Sequence, residues 1–237
     1  MKKRIWELDA FRGLCILGMV LVHLVYDVVY LYKLIDWDMP AWFSFIQNWG
    51  GVLFVALSGA CVTLGHRNLR RGLIVLGCGL LVSAVTIGLY ELHLFANGIQ
   101  IYFGVLHCLG ICMILWSVLK KLPNWALAVL AALIICIGFT LCKTIYVDSP
   151  CLLWLGFLYK GFFSSDYFPL LPNLGYFLLG SILGRTLYRN KESLFPKVNP
   201  ANPVVRFLSF CGRQSLWIYL LHQPILSGAF YLFFLLK

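Results

Sequence analysis

Apolar runs of bilayer-spanning length, about 20 residues each, recur along the chain and are separated by short polar or proline-bearing breaks. Seven spans are expected, at 11–32, 43–65, 72–90, 101–119, 124–142, 169–189 and 214–236. Asp36, Asp38 and Pro40 mark one break, and His66 to Arg71 forms a compact basic turn. A second outer loop is expected over Glu91–Gln100, followed by a turn at Lys120-Lys121-Leu122-Pro123. Residues 143–170 form the longest connection; their aromatics, Trp154, Phe157, Tyr159, Phe162, Phe163, Tyr167 and Phe168, suit a piece at headgroup level, and an extra partial span there is admissible. In 190–213, Pro196, Pro200 and Pro203 argue against a continuous helix. The expected fold is all-α, a single transmembrane domain over 1–237 built as a polytopic helix bundle.

Composition supports this and excludes a soluble domain. Hydrophobic residues make up 61% of the 237 positions and charged residues only 12%, against about a quarter charged in soluble domains. The net charge of +10 does not imply nucleic acid, because its placement has a membrane explanation. With a cytoplasmic N-terminus, 15 of the 19 Lys and Arg fall on the inner side, and Lys33, Lys143, Lys160 and Lys237 on the outer. That is the positive-inside bias. The first apolar run is too long for a signal-peptide core and holds His23 and Asp27 in place of a cleavage site, so it is expected to stay attached as a span. The nine cysteines lie mostly inside spans, with no CxxC or Cys/His ligand spacing. Cys142 and Cys151 flank an outer loop and are spaced to pair in an oxidising compartment, with free thiols an equal alternative. Glycines inside the spans, including the Gly180-x-x-x-Gly184 motif, read as helix-packing positions.

Candidate chemistry comes from the few polar groups at depth. His23 and Asp27 stand at i and i+4, on one face of the first span. A mid-membrane aspartate costs about 2.5–3.5 kcal/mol on insertion scales, so this one is expected to face the protein interior. The pair suits a general base with an orienting carboxylate; a polar clamp between helices is the plainer alternative. At 1.5 Å per residue, His23 lies about 18 Å from the inner start of its span and His107 about 9 Å from the outer start of the fourth. Ser58 and His222 fall about 12 Å from the inner side. Together they describe a polar ladder, although uneven depths and absent ligand spacing argue against zinc, so no metal site is assigned. Ser58 lacks the nucleophile-elbow motif, and no base is placed beside Cys15.

These motifs resemble known families. Glu7-Leu-Asp9-Ala-Phe-Arg12-Gly13, the Arg12–His23 spacing, Phe54-Val-Ala-Leu-Ser58-Gly59 and Ile218-Tyr219-Leu-Leu-His222-Gln223-Pro224 are similar to the acyltransferase-3 group of membrane acyltransferases. Phe103-Gly104-Val-Leu-His107-Cys-Leu-Gly110, Asp166-Tyr167-Phe-Pro-Leu-Leu-Pro172 and Gly212-Arg213-Gln-Ser215-Leu look like bacterial relatives of heparan-α-glucosaminide N-acetyltransferase. The resemblance implies a membrane enzyme that takes acetyl from cytoplasmic acetyl-CoA and passes it to a sugar acceptor on the other side. It associates Arg12 with the acyl-donor side and His23 with catalysis.

From these readings, His23, Asp27 and His107 are the expected catalytic residues. Arg12, Ser58, Arg67, Arg71, Arg213 and His222 are expected on the donor side, where arginine can grip CoA phosphates bidentately. For any single arginine, topology and lipid headgroups explain the charge as well. The expected partners are membrane lipids, acetyl-CoA and a sugar or glycan, with homo-oligomerisation open. A bacterial cytoplasmic membrane is the expected location. The rival class is a small-molecule or proton-coupled transporter using the same His/Asp ladder, against which stands the lack of an inverted repeat.

Overall fold

In hydrocarbon every backbone polar group must be satisfied within its own segment, which makes helices the natural state of long apolar runs. The computed structural model describes residues 4–93 and 99–236 and is helical throughout that framework. The helices are α1 (Trp6–Tyr26), α2 (Ala41–Val62), α3 (Asn68–Glu91), α4 (Val105–Leu119), α5 (Asn124–Thr144), α6 (Leu170–Leu187), α7 (Pro203–Arg213) and α8 (Ser215–Leu235). No strand occurs among the described residues. Each of the seven expected spans is a helix. Five of the helices are long and apolar enough to cross a membrane: α1 with its continuation to Leu31, α2, α3, α5 and α8. α4, at 15 residues, rises only about 22 Å. The expected loop over 91–100 falls partly on 94–98, and Lys2, Lys3 and Lys237 also lie outside the described residues.

The chain divides into two compact units, Met1–Phe54 with Asn190–Lys237, and Val55–Arg189. In the first unit, α1 packs on α7 through paired glycines. A Cβ on Gly13 would stand 1.9 Å from the Leu208 carbonyl oxygen, and one on Gly212 would stand 1.8 Å from that of Asp9. Only glycine permits this approach. The buried Glu7 carboxylate accepts the Leu194 N–H at 2.7 Å and the Ser193 hydroxyl at 2.9 Å, tying 190–194 to the start of α1.

No continuous helix runs through 190–213, as expected, but its last eleven residues, Pro203–Arg213, form helix α7. Pro203 ends nothing; it occupies the first turn of a new helix, where a missing N–H costs least. Asn202 caps that helix by accepting the Val204 N–H at 3.0 Å.

The second unit is held by similar close approaches. A Cβ on Gly180 would lie 1.8 Å from the Ala56 carbonyl oxygen and one on Gly184 2.5 Å from that of Ala60, so the G-x-x-x-G motif packs α6 against α2 within the chain. Arg185 closes the C-terminal end of α4. Its guanidinium donates to the carbonyls of Lys120 and Leu122 and to Asn124 Oδ1, and it lies 4.7 Å from the Trp116 ring centroid. Phe177, Leu178, Leu127, Val55, Cys108 and Cys112 form its fully buried core. Many large apolar side chains elsewhere on the spans, such as Leu73, Leu80, Leu81 and Leu133, are exposed, as lipid contact requires.

Residues 145–169 contain a short 3-10 turn at Pro150–Leu152 and isolated bridges pairing Tyr146 with Leu158 and Phe103 with Tyr167, with no further spanning helix. Burial pushes the Tyr167 phenol well above its ordinary range, so its hydroxyl stays a donor to the Leu153 carbonyl at 2.7 Å. No disulfide joins any of the cysteines among the described residues; Cys142 is buried and Cys151 exposed.

Candidate active site

In the first unit, helices α1 and α8 are joined by a series of polar contacts among the described residues. Near the start of α1, Arg12 Nη2 donates to the Ser215 hydroxyl at 2.9 Å. Further along, the His23 and His222 rings meet edge to face with centroids 4.9 Å apart. One turn beyond His23, the Asp27 carboxylate accepts the Gln223 amide N–H groups, at 3.2 Å to Oδ1 and 3.0 Å to Oδ2. Tyr32 then stacks on Phe230, at 4.4 Å between centroids. Partner numbers rise together on both helices, so α1 and α8 run parallel.

The expected His23–Asp27 pair does not form. Asp27 is 1% exposed and its carboxylate is taken by Gln223. No hydrogen bond or ion pair joins it to His23 among the described residues. Asp27 keeps its helical register with His23, its N–H bonding the His23 carbonyl, but its carboxylate is turned to Gln223 on α8, and a π-helical turn, Asp27–Leu31, begins there. Helix α8 is also irregular at this level: Pro224 lies inside it and has no N–H to give the Leu220 carbonyl. Two helices thus lose their regular ladder at the same polar layer, and irregular backbone at membrane depth is tolerated where it is buried in protein or lines a cavity.

His222 is held in one orientation. Its Nδ1 donates to the Tyr219 carbonyl at 2.6 Å, and since a carbonyl only accepts, the proton sits on Nδ1 in the neutral ring. His23 makes no hydrogen bond among the described residues, and the edge contact with His222 is its ring contact. Arg12 is half-buried, with its Nε buried and unpartnered among the described residues. The Gln223 Oε1 is likewise buried and unpartnered.

The remaining expected residues divide between the units. Arg213 is exposed at the end of α7 in the first unit. His107, Ser58, Arg67 and Arg71 belong to the second. Ser58 is buried on α2, while Arg67 and Arg71 are exposed around the start of α3. His107 is 3% exposed and both its ring nitrogens are engaged. Nδ1 accepts the Gly104 N–H at 3.2 Å, so Nε2 carries the proton and donates to the Ser83 hydroxyl at 3.3 Å. Gly79 makes room for the ring; a Cβ there would lie 3.0 Å from His107 Nδ1. Asp166 completes this helix start by accepting the Val105 N–H at 3.0 Å. The arrangement caps α4 and clamps it to α3. Gln223 was missed as a site residue, although its place beside His222 and before an intrahelical proline was a usable signal.

The model of the family described as heparan-alpha-glucosaminide N-acetyltransferase, catalytic, matches residues 4–224. The chain belongs to this family. No curated protein and no solved structure matches the chain. Family membership and the apolar helices make the chain an integral membrane acetyltransferase of the heparan-alpha-glucosaminide N-acetyltransferase type. The matched residues include the Arg12–Ser215, His23–His222 and Asp27–Gln223 contacts between α1 and α8.

Proposed function

We propose that this protein transfers acetyl from cytoplasmic acetyl-CoA to an amine or hydroxyl of an extracytoplasmic sugar or glycan. The observation that carries this is the His23–His222 contact inside the family's matched region, on the same helix pair that holds Arg12. His23 acts as the general base, or as a transient acetyl carrier, because its ring nitrogens are uncommitted among the described residues. His222, fixed by Tyr219, presents its ring edgewise and holds the His23 imidazole in place.

Eleven positions on α1 separate Arg12 from His23, about 16 Å of helix. A single helix therefore links a guanidinium suited to a CoA phosphate with the reacting histidine. The uncommitted Arg12 Nε fits a further acceptor. Arg213 of the first unit, and Arg67 and Arg71 of the second, are assigned to the donor-facing side by the charge asymmetry of the sequence. Ser58 is assigned to the same side. His107 is read as a structural residue. Asp27 acts through Gln223 and not through His23.

The test is acetyl transfer by the purified protein reconstituted in vesicles, with labelled acetyl-CoA on one side and an amino sugar on the other. Labelled product on the far side, absent without acetyl-CoA, supports the assignment. Entry of the sugar itself, independent of acetyl-CoA, supports a transporter instead.

A further inference from the structure

Helix α7 has 11 residues and rises about 16 Å, too short to cross a hydrocarbon core of about 30 Å. Its level in the membrane is set by its neighbours. One face, through Leu208, Ser209 and Gly212, rests on Trp6, Asp9 and Gly13 in the first turns of α1. Gln214 alone separates α7 from α8. Because α1 and α8 run parallel and both begin here, α7 lies at the boundary where their spans enter the bilayer.

The opposite face is unlike that of a water-facing helix. Val204, Phe207 and Phe210 are each more than half exposed. Arg206 and Arg213 share this face, seven positions and about 10 Å of helix apart. With Phe207 and Phe210 they line an open groove of about 430 Å³. Neither arginine forms an ion pair among the described residues, and the chain carries no Asp or Glu after Glu192. The acids at the start of α1 are committed elsewhere: Glu7 accepts from Ser193 and Leu194, and Asp9 faces Arg4 at 3.9 Å. The segment leading into α7 has the same character, with Leu194, Phe195, Lys197 and Val198 all exposed. Large apolar groups beside unpaired basic ones, at the level of the headgroups, mark a helix that lies in the membrane surface.

We infer that the α7 groove seats an anionic phospholipid, with its phosphodiester between Arg206 and Arg213 and its acyl chains on Phe207 and Phe210. Guanidinium groups grip phosphate through paired hydrogen bonds. An anionic headgroup is selected over a zwitterionic one, because choline would bring a positive charge back toward the arginines. The lipid is a structural partner and takes no part in acetyl transfer. It braces α7 against the start of α1, the helix that carries Arg12. Arg213 thereby has a lipid phosphate as its partner in place of a CoA phosphate.

The experiment measures binding of phosphatidylglycerol and phosphatidylcholine to the full-length protein in detergent micelles by native mass spectrometry. For the first lipid bound, wild type should favour phosphatidylglycerol by about 10-fold or more, and Arg206→Gln should remove about fivefold of that preference, the contribution of one basic side chain near an anionic headgroup. Phe207→Ser should weaken both lipids and leave the preference in place. Arg206 and Phe207 are exposed, so neither substitution disturbs the face that packs on α1. Arg70→Gln, at an exposed arginine of α3 in the second unit, should change neither affinity nor preference. Equal binding of the two lipids by wild type, or a preference unchanged in Arg206→Gln, would overturn the proposal. Displacement of the bound lipid by acetyl-CoA or by glycerol 3-phosphate would overturn it too, and would make the groove a nucleotide or free-phosphate site.

Discussion

His23 and His222 stand edge to face across helices α1 and α8, with 4.9 Å between ring centroids, although 199 positions separate them in sequence. The edge of an aromatic ring carries partial positive charge and its face partial negative charge, so such pairs hold a defined angle. This pair holds 71° between planes. The Tyr219 carbonyl fixes one ring, and that ring fixes the other.

His222→Phe keeps the edge contact and removes the hydrogen bond to Tyr219. Acetyl transfer should fall about 10-fold in kcat, well short of the 10²–10⁴-fold effect of losing a general base. Steady-state kinetics at saturating acetyl-CoA and acceptor measure this.

Arg12 has two separable roles. Ser215→Ala removes only the hydroxyl that Arg12 Nη2 meets, costing about 1 kcal/mol of stability with acetyl-CoA affinity nearly unchanged. Arg12→Lys removes the planar fork as well, and acetyl-CoA affinity should drop about 10-fold, or about 1.4 kcal/mol. Isothermal titration beside thermal unfolding separates the two.

His107→Ala should act through the fold. It leaves the Gly104 N–H and the Ser83 hydroxyl without their partner and opens a cavity beside Gly79. Loss of about 2–4 kcal/mol is expected. The protein that remains folded should transfer acetyl at a near wild-type rate; a folded variant with selective loss of kcat would return His107 to the chemistry.

Glycine packing gives a contrast within one unit. Gly212→Ala forces a methyl group to within 1.8 Å of the Asp9 carbonyl oxygen, while a methyl on Gly18 meets nothing within 4 Å. The first should lower stability by about 1–3 kcal/mol or more and the second should be close to neutral, read by thermal unfolding in detergent.

Legibility in the sequence followed the length scale of each signal. Every long apolar run became a helix, because bilayer length and internal hydrogen bonding leave a run of such residues little choice. Helix α7 was hidden by weighing Pro203 as a breaker, when Asn202-Pro203 before an apolar-periodic segment is a helix start. His23 and Arg12 were visible because both lie on one helix. The partner of Asp27 was not, since Gln223 is 196 positions away and which faces of α1 and α8 meet is a tertiary fact. Arg185 was counted only as an inner-side charge, while its guanidinium closes the end of α4. A charge tally carries no such geometry.

The most direct test of the central claim replaces His23 with alanine in the full-length protein and measures acetyl transfer and acetyl-CoA binding on the same preparation. Transfer should fall by 10²-fold or more, as about expected for loss of a general base, with acetyl-CoA binding and thermal stability retained. A folded His23→Ala protein that transfers acetyl at the wild-type rate would contradict the assignment of His23 as the reacting histidine.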